Sequence, residues 1–254
     1  MPTAISIAGL IVLGIAVGTL IGGMGIGGVL LVPALHYAGG VAVHVAVAGC
    51  MFAYLFGGAV GAVSFSRRGS IRWSMAGALC AGAMPGAYFG ARTLSITPAV
   101  TIEMVIAALA LMSGWQARRR REASGKVARP IGKLALGAIG AATGYGSALS
   151  GTGGPLLLVP MLLWLGTPVL TAVGLSQVIQ LPIAALATAG NLQFGQVDFV
   201  LGGALAVLLM IGVGIGARVA HAVATATLKR VVALMLIGVG GAMALRIAYR
   251  AVTG

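Results

Sequence analysis

Eight apolar blocks, none shorter than 18 residues, take up most of this chain, and a water-soluble fold could not hide them all. They cover residues 5–37, 43–65, 73–91, 98–115, 134–165, 168–189, 197–217 and 228–248. A helix crossing the hydrocarbon of a bilayer needs about 20 apolar residues. Only 7% of the 254 residues are charged and 59% are hydrophobic, where soluble domains carry about a quarter charged residues. The chain is therefore expected to be an all-α polytopic membrane protein with lipid as its outer solvent.

The few charges are lopsided. Sixteen Lys and Arg stand against Glu103, Glu122 and Asp198, a net charge of +13. In a soluble protein this would suggest nucleic acid. Here the basic residues sit in short loops between apolar blocks, the positive-inside pattern of a bacterial inner-membrane protein, and no nucleic-acid partner is expected. The densest run lies in 116–133, with Arg118, Arg119, Arg120, Arg121, Lys126, Arg129 and Lys133, and reads as a solvated cytoplasmic linker. Cys50 and Cys80 lie inside apolar runs and read as packing residues. The first block has no basic segment before it, and its pattern recurs in mid-chain, so it reads as mature structure rather than a signal peptide.

That recurrence sets the organisation. A shift of about 126 residues superposes the two halves. Gly14, Gly18, Gly25, Gly27 and Gly28 fall on Gly140, Gly144, Gly151, Gly153 and Gly154. Gly86, Gly90, Ala91 and Arg92 fall on Gly212, Gly216, Ala217 and Arg218, and Gly114 falls on Gly240. The expected units are repeat 1 over 1–115, the linker 116–133, and repeat 2 over 134–254. In each, the last three blocks are single spans. Thr97-Pro98 and Thr167-Pro168 resemble helix starts, with a capping hydroxyl before Pro.

The first block of each repeat is too long for one crossing, and glycine interrupts it. Five of the seven residues in 22–28 are glycine, matched by Ser150-Gly151-Thr152-Gly153-Gly154-Pro155 in the second half. Glycine costs about 1 kcal/mol per position inside a helix, so each block is expected to be a broken helical hairpin. Non-helical backbone at membrane depth survives only when buried in protein or facing a wet cavity. A hairpin gives each repeat an odd number of crossings and inverts the second repeat relative to the first. A single broken span would give parallel repeats; block length favours inversion.

Unwound backbone of this kind holds anions in transporters with inverted repeats, because half-helix N-termini aim N–H groups into the gap. The candidate substrate-binding residues are accordingly Gly23, Gly25, Gly27 and Gly28 in the first turn and Ser150, Gly151, Thr152, Gly153 and Gly154 in the second. Tyr145, Ser147, Ser176, Gln177 and Gln180 add hydrogen-bonding groups beside the second turn. Small-residue packing between helices accounts better for Gly14, Gly18, Gly86 and Gly90. Arg92 and Arg218, ending equivalent spans, read as snorkelling side chains or as a gate or funnel for anions. Glu103 lies inside an apolar block. It is a candidate for proton coupling, against the plainer reading of an acid near a helix start, which also suits Asp198. The three histidines, His36, His44 and His221, form no metal-binding spacing. The Gly-rich segments lack the Gly-Lys-Ser/Thr of a P-loop. No cofactor and no enzymatic activity are expected. The residues alone reach a small anion moved by a duplicated helical bundle, with a membrane channel as the alternative.

The two turns, GTLIGGMGIGGVLLVP at 18–33 and GYGSALSGTGGPLLLVP at 144–160, resemble the sulfite exporter family TauE/SafE, also called the TSUP permeases. The Gly-x-x-x-Gly-Ala-Arg segments at 86–92 and 212–218 resemble it too, and the likeness covers nearly the whole chain. It implies secondary transport, usually export, of a small sulfur-containing anion such as sulfite or an organosulfonate. Two departures are visible: Pro33 lies five residues after its Gly pair where Pro160 lies six after its own, and Met24 and Ile26 stand where the second turn has Ser150 and Thr152, which argues against a symmetric site.

Overall fold

A computed structural model of the chain describes residues 7–25, 27–119, 131–195, 197–222, 234 and 237–249. Within these residues the structure is helical and contains no strand. The expected cytoplasmic linker falls largely outside the described residues, as does the start of the last block, 228–248.

The first half begins with α1 (Ile7–Met24), the short α2 (Gly28–Pro33) and a π-helical turn over Ala34–Ala38. Three long helices follow: α3 (Val43–Ser66), α4 (Trp73–Ile96) and α5 (Ala99–Arg119). The second half holds α6 (Lys133–Ser150), α7 (Pro155–Trp164), α8 (Val169–Phe194) and α9 (Phe199–Ala222). A last helix, α10, covers Ile237–Tyr249. By length and composition, α3, α8 and the stretch Phe199–Ala220 of α9 can each cross a membrane. Val12, Leu134, Trp164 and Val200 are exposed, which suits a lipid-facing surface.

Several helices outrun their apolar blocks. The fourth continues past Arg92 to Ile96 and the eighth runs to Phe194. Hydropathy marks where hydrocarbon ends, whereas a helix stops only where its backbone bonding stops. The expected hydroxyl caps are not made. Thr97 ends α4, and its hydroxyl donates back to the Thr93 carbonyl at 2.6 Å. At the start of α8, Pro168 is the N-cap and no side chain caps the helix. Asp198 does act at a helix start: its Oδ1 accepts from the backbone N–H groups of Val200 and Leu201 at 2.9 and 3.0 Å.

Small residues set the main helix pairs. A Cβ on Gly14 would meet Leu208, and one on Gly18 would meet Leu209 and Gly212, so α1 and α9 run side by side in the same direction. The pair α4 and α6 behaves alike: Gly82 lies on Gly137, Gly86 on Ala141 and Gly90 on Tyr145. These are backbone-to-backbone seams of the kind small residues allow in membranes. By contrast α3 and α8 are antiparallel. Phe65 lies against Gly174, Gly61 against Gln177 and Gly58 against Gln180. The core is built around this central pair, with Met51, Tyr54 and Phe65 from α3 and Ile179 and Ile183 from α8 all buried.

Candidate functional site

The first backbone break is shorter than its glycine run. Gly22 and Gly23 are still helical; a Cβ on Gly22 would collide with the Val213 backbone, and Gly23 lies under Gly216. They serve the α1–α9 seam, which corrects the placing of Gly23 in the turn. The break itself starts at Gly25, whose φ of +70° only glycine adopts cheaply, and α2 restarts at Gly28. The Ile21 carbonyl accepts both the Gly25 N–H at 2.9 Å and the Gln177 side-chain amide at 2.8 Å. A helix end in the first half is thus tied to α8 in the second.

The second break follows α6. Gly151 takes a left-handed conformation and its N–H donates to the Ser147 carbonyl at 2.9 Å, with the Thr152 N–H reaching the same oxygen at 3.3 Å. This is a glycine-terminated helix end. Gly153 and Gly154 continue with φ of +80° and +94°. Gly154 is the N-cap of α7 without any side-chain cap, and Pro155 opens the helix, where its missing N–H costs nothing.

The two breaks meet. A Cβ on Gly28 would run into the Thr152 carbonyl, and one on Gly25 would lie 3.2 Å from both Pro155 and Ser176 Oγ. Tyr54 of α3 sits between them: its hydroxyl donates to the Gly28 carbonyl at 3.0 Å, while its ring covers Gly153. Gln180 in turn donates to the Tyr54 carbonyl at 3.1 Å. Tyr54→Phe should leave the fold intact but lower the melting temperature by the equivalent of about 0.6–2 kcal/mol, the worth of one buried hydrogen bond between membrane helices. An unchanged melting curve would remove that bond from the coupling of the two turns.

Not every buried polar group of α6 and α8 is satisfied. Among the described residues, six buried side-chain atoms have no hydrogen-bond partner in the protein: Thr143 Oγ1, Ser147 Oγ, Gln177 Oε1, Gln180 Oε1, Thr188 Oγ1 and Asn191 Nδ2. Each such group costs about 1–3 kcal/mol if left unmet.

Other candidates fall elsewhere. Ser150 and Ser176 are buried by the turns, but their hydroxyls donate to the carbonyls of Gly146 and Val173 at 2.6 and 2.7 Å. Ser150 also touches the Thr152 hydroxyl at 3.0 Å. Tyr145 is exposed, and its hydroxyl reaches Thr93 of α4 at 3.3 Å, so it stands apart from the junction. It follows the exposed side of α6, about 160° round the helix from Thr143 and Ser147. Arg92 and Arg218 are exposed, and the Arg92 guanidinium lies 6.0 Å from the Phe194 ring centre.

Glu103 is buried on α5 and does not simply face a helix start. Tyr37 Oη donates to its Oε2 at 2.6 Å, and His36 Nε2 lies 3.2 Å from its Oε1. Both partners lie on the π-helical turn that follows α2. His36 Nδ1 is 2.7 Å from the Val41 carbonyl, so that nitrogen carries a hydrogen. Arg246 of α10 stacks over Tyr37 at 4.5 Å. A cavity of about 660 Å³ opens beside them, lined by Leu13, Leu30, Pro33, Tyr37, Met243 and Arg246 among others. It lies between α1, α2 with its π-helical turn, and α10.

Three polar residues of α6 and α8, Thr143, Thr188 and Asn191, were not singled out by motif. Helical spacing carries the signal that finds them: 143 and 147 share one face of α6, and 177, 180, 188 and 191 share one face of α8. The pairing of His36 and Tyr37 with Glu103, 66 or more positions away, has no local signal.

A family model described as sulfite exporter TauE/SafE matches residues 10–243 of the chain. No curated protein and no solved structure matches it.

Proposed function

Since the chain belongs to the sulfite exporter TauE/SafE family and is thereby a multi-pass membrane transport protein, we propose that it exports a small sulfur-containing anion, such as sulfite or an organosulfonate, by alternating access around the two glycine turns. The observation that carries this reading is the meeting of two backbone breaks, one from each half, around Tyr54 and α8. Substrate-binding groups on this reading are Gly25, Gly27 and Gly28 of the first turn and Gly151, Thr152, Gly153 and Gly154 of the second, with Ser147, Gln177 and Gln180 beside them. Backbone N–H groups at such breaks suit an anion without a fixed positive charge, and among the described residues no Lys or Arg is buried, so an anion held there is bound weakly enough to leave.

The two halves are read as inverted repeats. The antiparallel run of α3 against α8 supports this, because equivalent helices of parallel repeats would point the same way. The pairs α1–α9 and α4–α6 exchange partners between halves as a two-fold axis in the membrane plane requires. The basic linker is then cytoplasmic by the positive-inside rule, and the membrane a bacterial inner membrane. His36, Glu103 and Tyr37 are assigned to proton coupling, with Arg92 and Arg218 drawing anions toward the two mouths.

Flux of labelled sulfite and sulfoacetate in proteoliposomes tests the reading, with and without a pH gradient. Saturable flux with mutual competition is expected. Flux that rises linearly with concentration would make the protein a channel, and no flux of either anion would reject the substrate class.

A further inference from the structure

We infer that the cavity between α1, α2 and α10 is a site for one anionic phospholipid, with an acyl chain inside the cavity and the headgroup phosphate on Arg246. The inference does not depend on which anion the protein moves.

The site begins with small side chains on α10. Positions 239, 242, 243 and 246 share one face of that helix, and Gly238 borders it. Gly238 and Ala242 stand where the first half has Met112 and Gln116. Small residues at both places leave a gap between α10 and the opposing α1 and α2. A Cβ on Gly238 would meet nothing within 4 Å. The gap amounts to about 660 Å³, within the size range of sites for small molecules.

Its walls choose the occupant. Leu13 of α1, Leu30 and Pro33 of α2 and Met243 of α10 are apolar and give water nothing to bond. Gly238, Ala242 and Arg246 are exposed, so the cavity communicates with the outside of the helix bundle, where lipid is the solvent. From Gly238 to Arg246 it follows α10 for eight residues, about 12 Å. One leaflet of the hydrocarbon core is about 15 Å deep. That length suits a tail hanging from the interface, with Arg246 at headgroup level. Tyr249, exposed one turn further on, is the kind of aromatic residue that marks the interface.

Apolar fit alone gives no selectivity, because a tail gives up in the bilayer the same contacts that it gains in the cavity. Selectivity comes from Arg246. Its guanidinium lies over the Tyr37 ring, 4.5 Å from the ring centre. Stacking engages the flat face of the group and leaves its N–H edge for a phosphate, which it can hold with two parallel bonds. Among the described residues Arg246 makes no ion pair: Glu103 is held by Tyr37 and His36, and Asp198 by the start of α9. A zwitterionic headgroup sets its own cation against the arginine, whereas an anionic one does not. The same Tyr37 donates to Glu103 at 2.6 Å, so the headgroup site and the buried acid share one side chain.

Native mass spectrometry of the full-length protein tests this. The protein is extracted in detergent and equilibrated with an equimolar mixture of dioleoyl phosphatidylglycerol and dioleoyl phosphatidylcholine. The wild type should retain one phosphatidylglycerol in preference to phosphatidylcholine by about tenfold or more, the worth of one charge-assisted hydrogen bond. Arg246→Gln should bring the two lipids to near-equal retention. Gly238→Leu, whose side chain enters open space, should lose the tightly held lipid without disturbing the fold. Arg72→Gln removes the same charge from the N-cap of α4, outside the cavity, and should keep the preference. That comparison is needed because a chain of net charge +13 attracts anionic lipid over its whole surface. Equal retention of the two lipids by the wild type, equal loss of preference in Arg246→Gln and Arg72→Gln, or unchanged retention in Gly238→Leu would overturn the site. A wild-type dimer that holds no lipid and comes apart in Gly238→Leu would overturn it in favour of a second copy of the chain.

Discussion

Sulfite flux through the Gly153→Val protein is expected to fall by about tenfold or more while the protein still inserts and purifies as a single species. Two separate effects act at this position. The backbone φ of +80° is strained for any residue with a Cβ, at about 1–3 kcal/mol, and a β-branched residue suffers most. The added Cβ would also stand 2.9 Å from the Tyr54 ring, which in turn holds the first turn through Gly28. Pushing Tyr54 aside therefore disturbs both breaks at once. Gly69→Val separates the two effects. Gly69 has nearly the same backbone strain, with φ of +66°, but lies in the α3–α4 loop with open space around it. It should lose stability and keep its flux per inserted molecule. Equal loss of flux in both variants would assign the effect to strain alone, and normal flux in Gly153→Val would remove the second turn from the site.

The contrast between Gly22 and Gly25 shows where sequence reasoning reaches its limit. Both belong to one glycine run, and composition treats them alike. Whether a glycine unwinds a helix or lets a second helix approach depends on what lies opposite, here the Val213 backbone for Gly22 and Pro155 with Ser176 for Gly25. The existence of a break was legible because five glycines in seven residues exceed what a helix tolerates. Its bounds were not, because they are set by a neighbour nearly 200 positions away. The second break was read closely, since Gly151, Gly153 and Gly154 all take positive φ. Helix starts were legible through Pro98 and Pro168, but their expected caps were not made, because Thr97 belongs to the helix before it.

Glutamate 103 tests the same limit in functional terms. Its place one turn into α5 suggested a residue facing a helix dipole, with proton coupling as the less favoured reading, and only the fold brings His36 and Tyr37 against it. Glu103→Gln keeps the side-chain shape, and Tyr37 can still donate to the amide oxygen. What it removes is the carboxylate that faces His36 Nε2 at 3.2 Å. For one proton exchanged per anion, each pH unit across the membrane supplies about 1.4 kcal/mol and sustains up to about tenfold accumulation. Proteoliposomes holding the wild-type protein should therefore accumulate sulfite when a pH gradient is imposed, and those holding Glu103→Gln should only equilibrate it. Exchange of labelled for unlabelled sulfite at equal pH should persist in the variant, because that process needs the anion site but no net proton movement. Arg246, stacked over Tyr37 at 4.5 Å, stays charged throughout. On the proposed reading, a proton gained or lost beside Glu103 would act on α2 directly, because Tyr37 and His36 sit on the π-helical turn that follows it. Gradient-driven accumulation that survives Glu103→Gln would place the coupling elsewhere and leave the His36–Glu103 contact a structural pair.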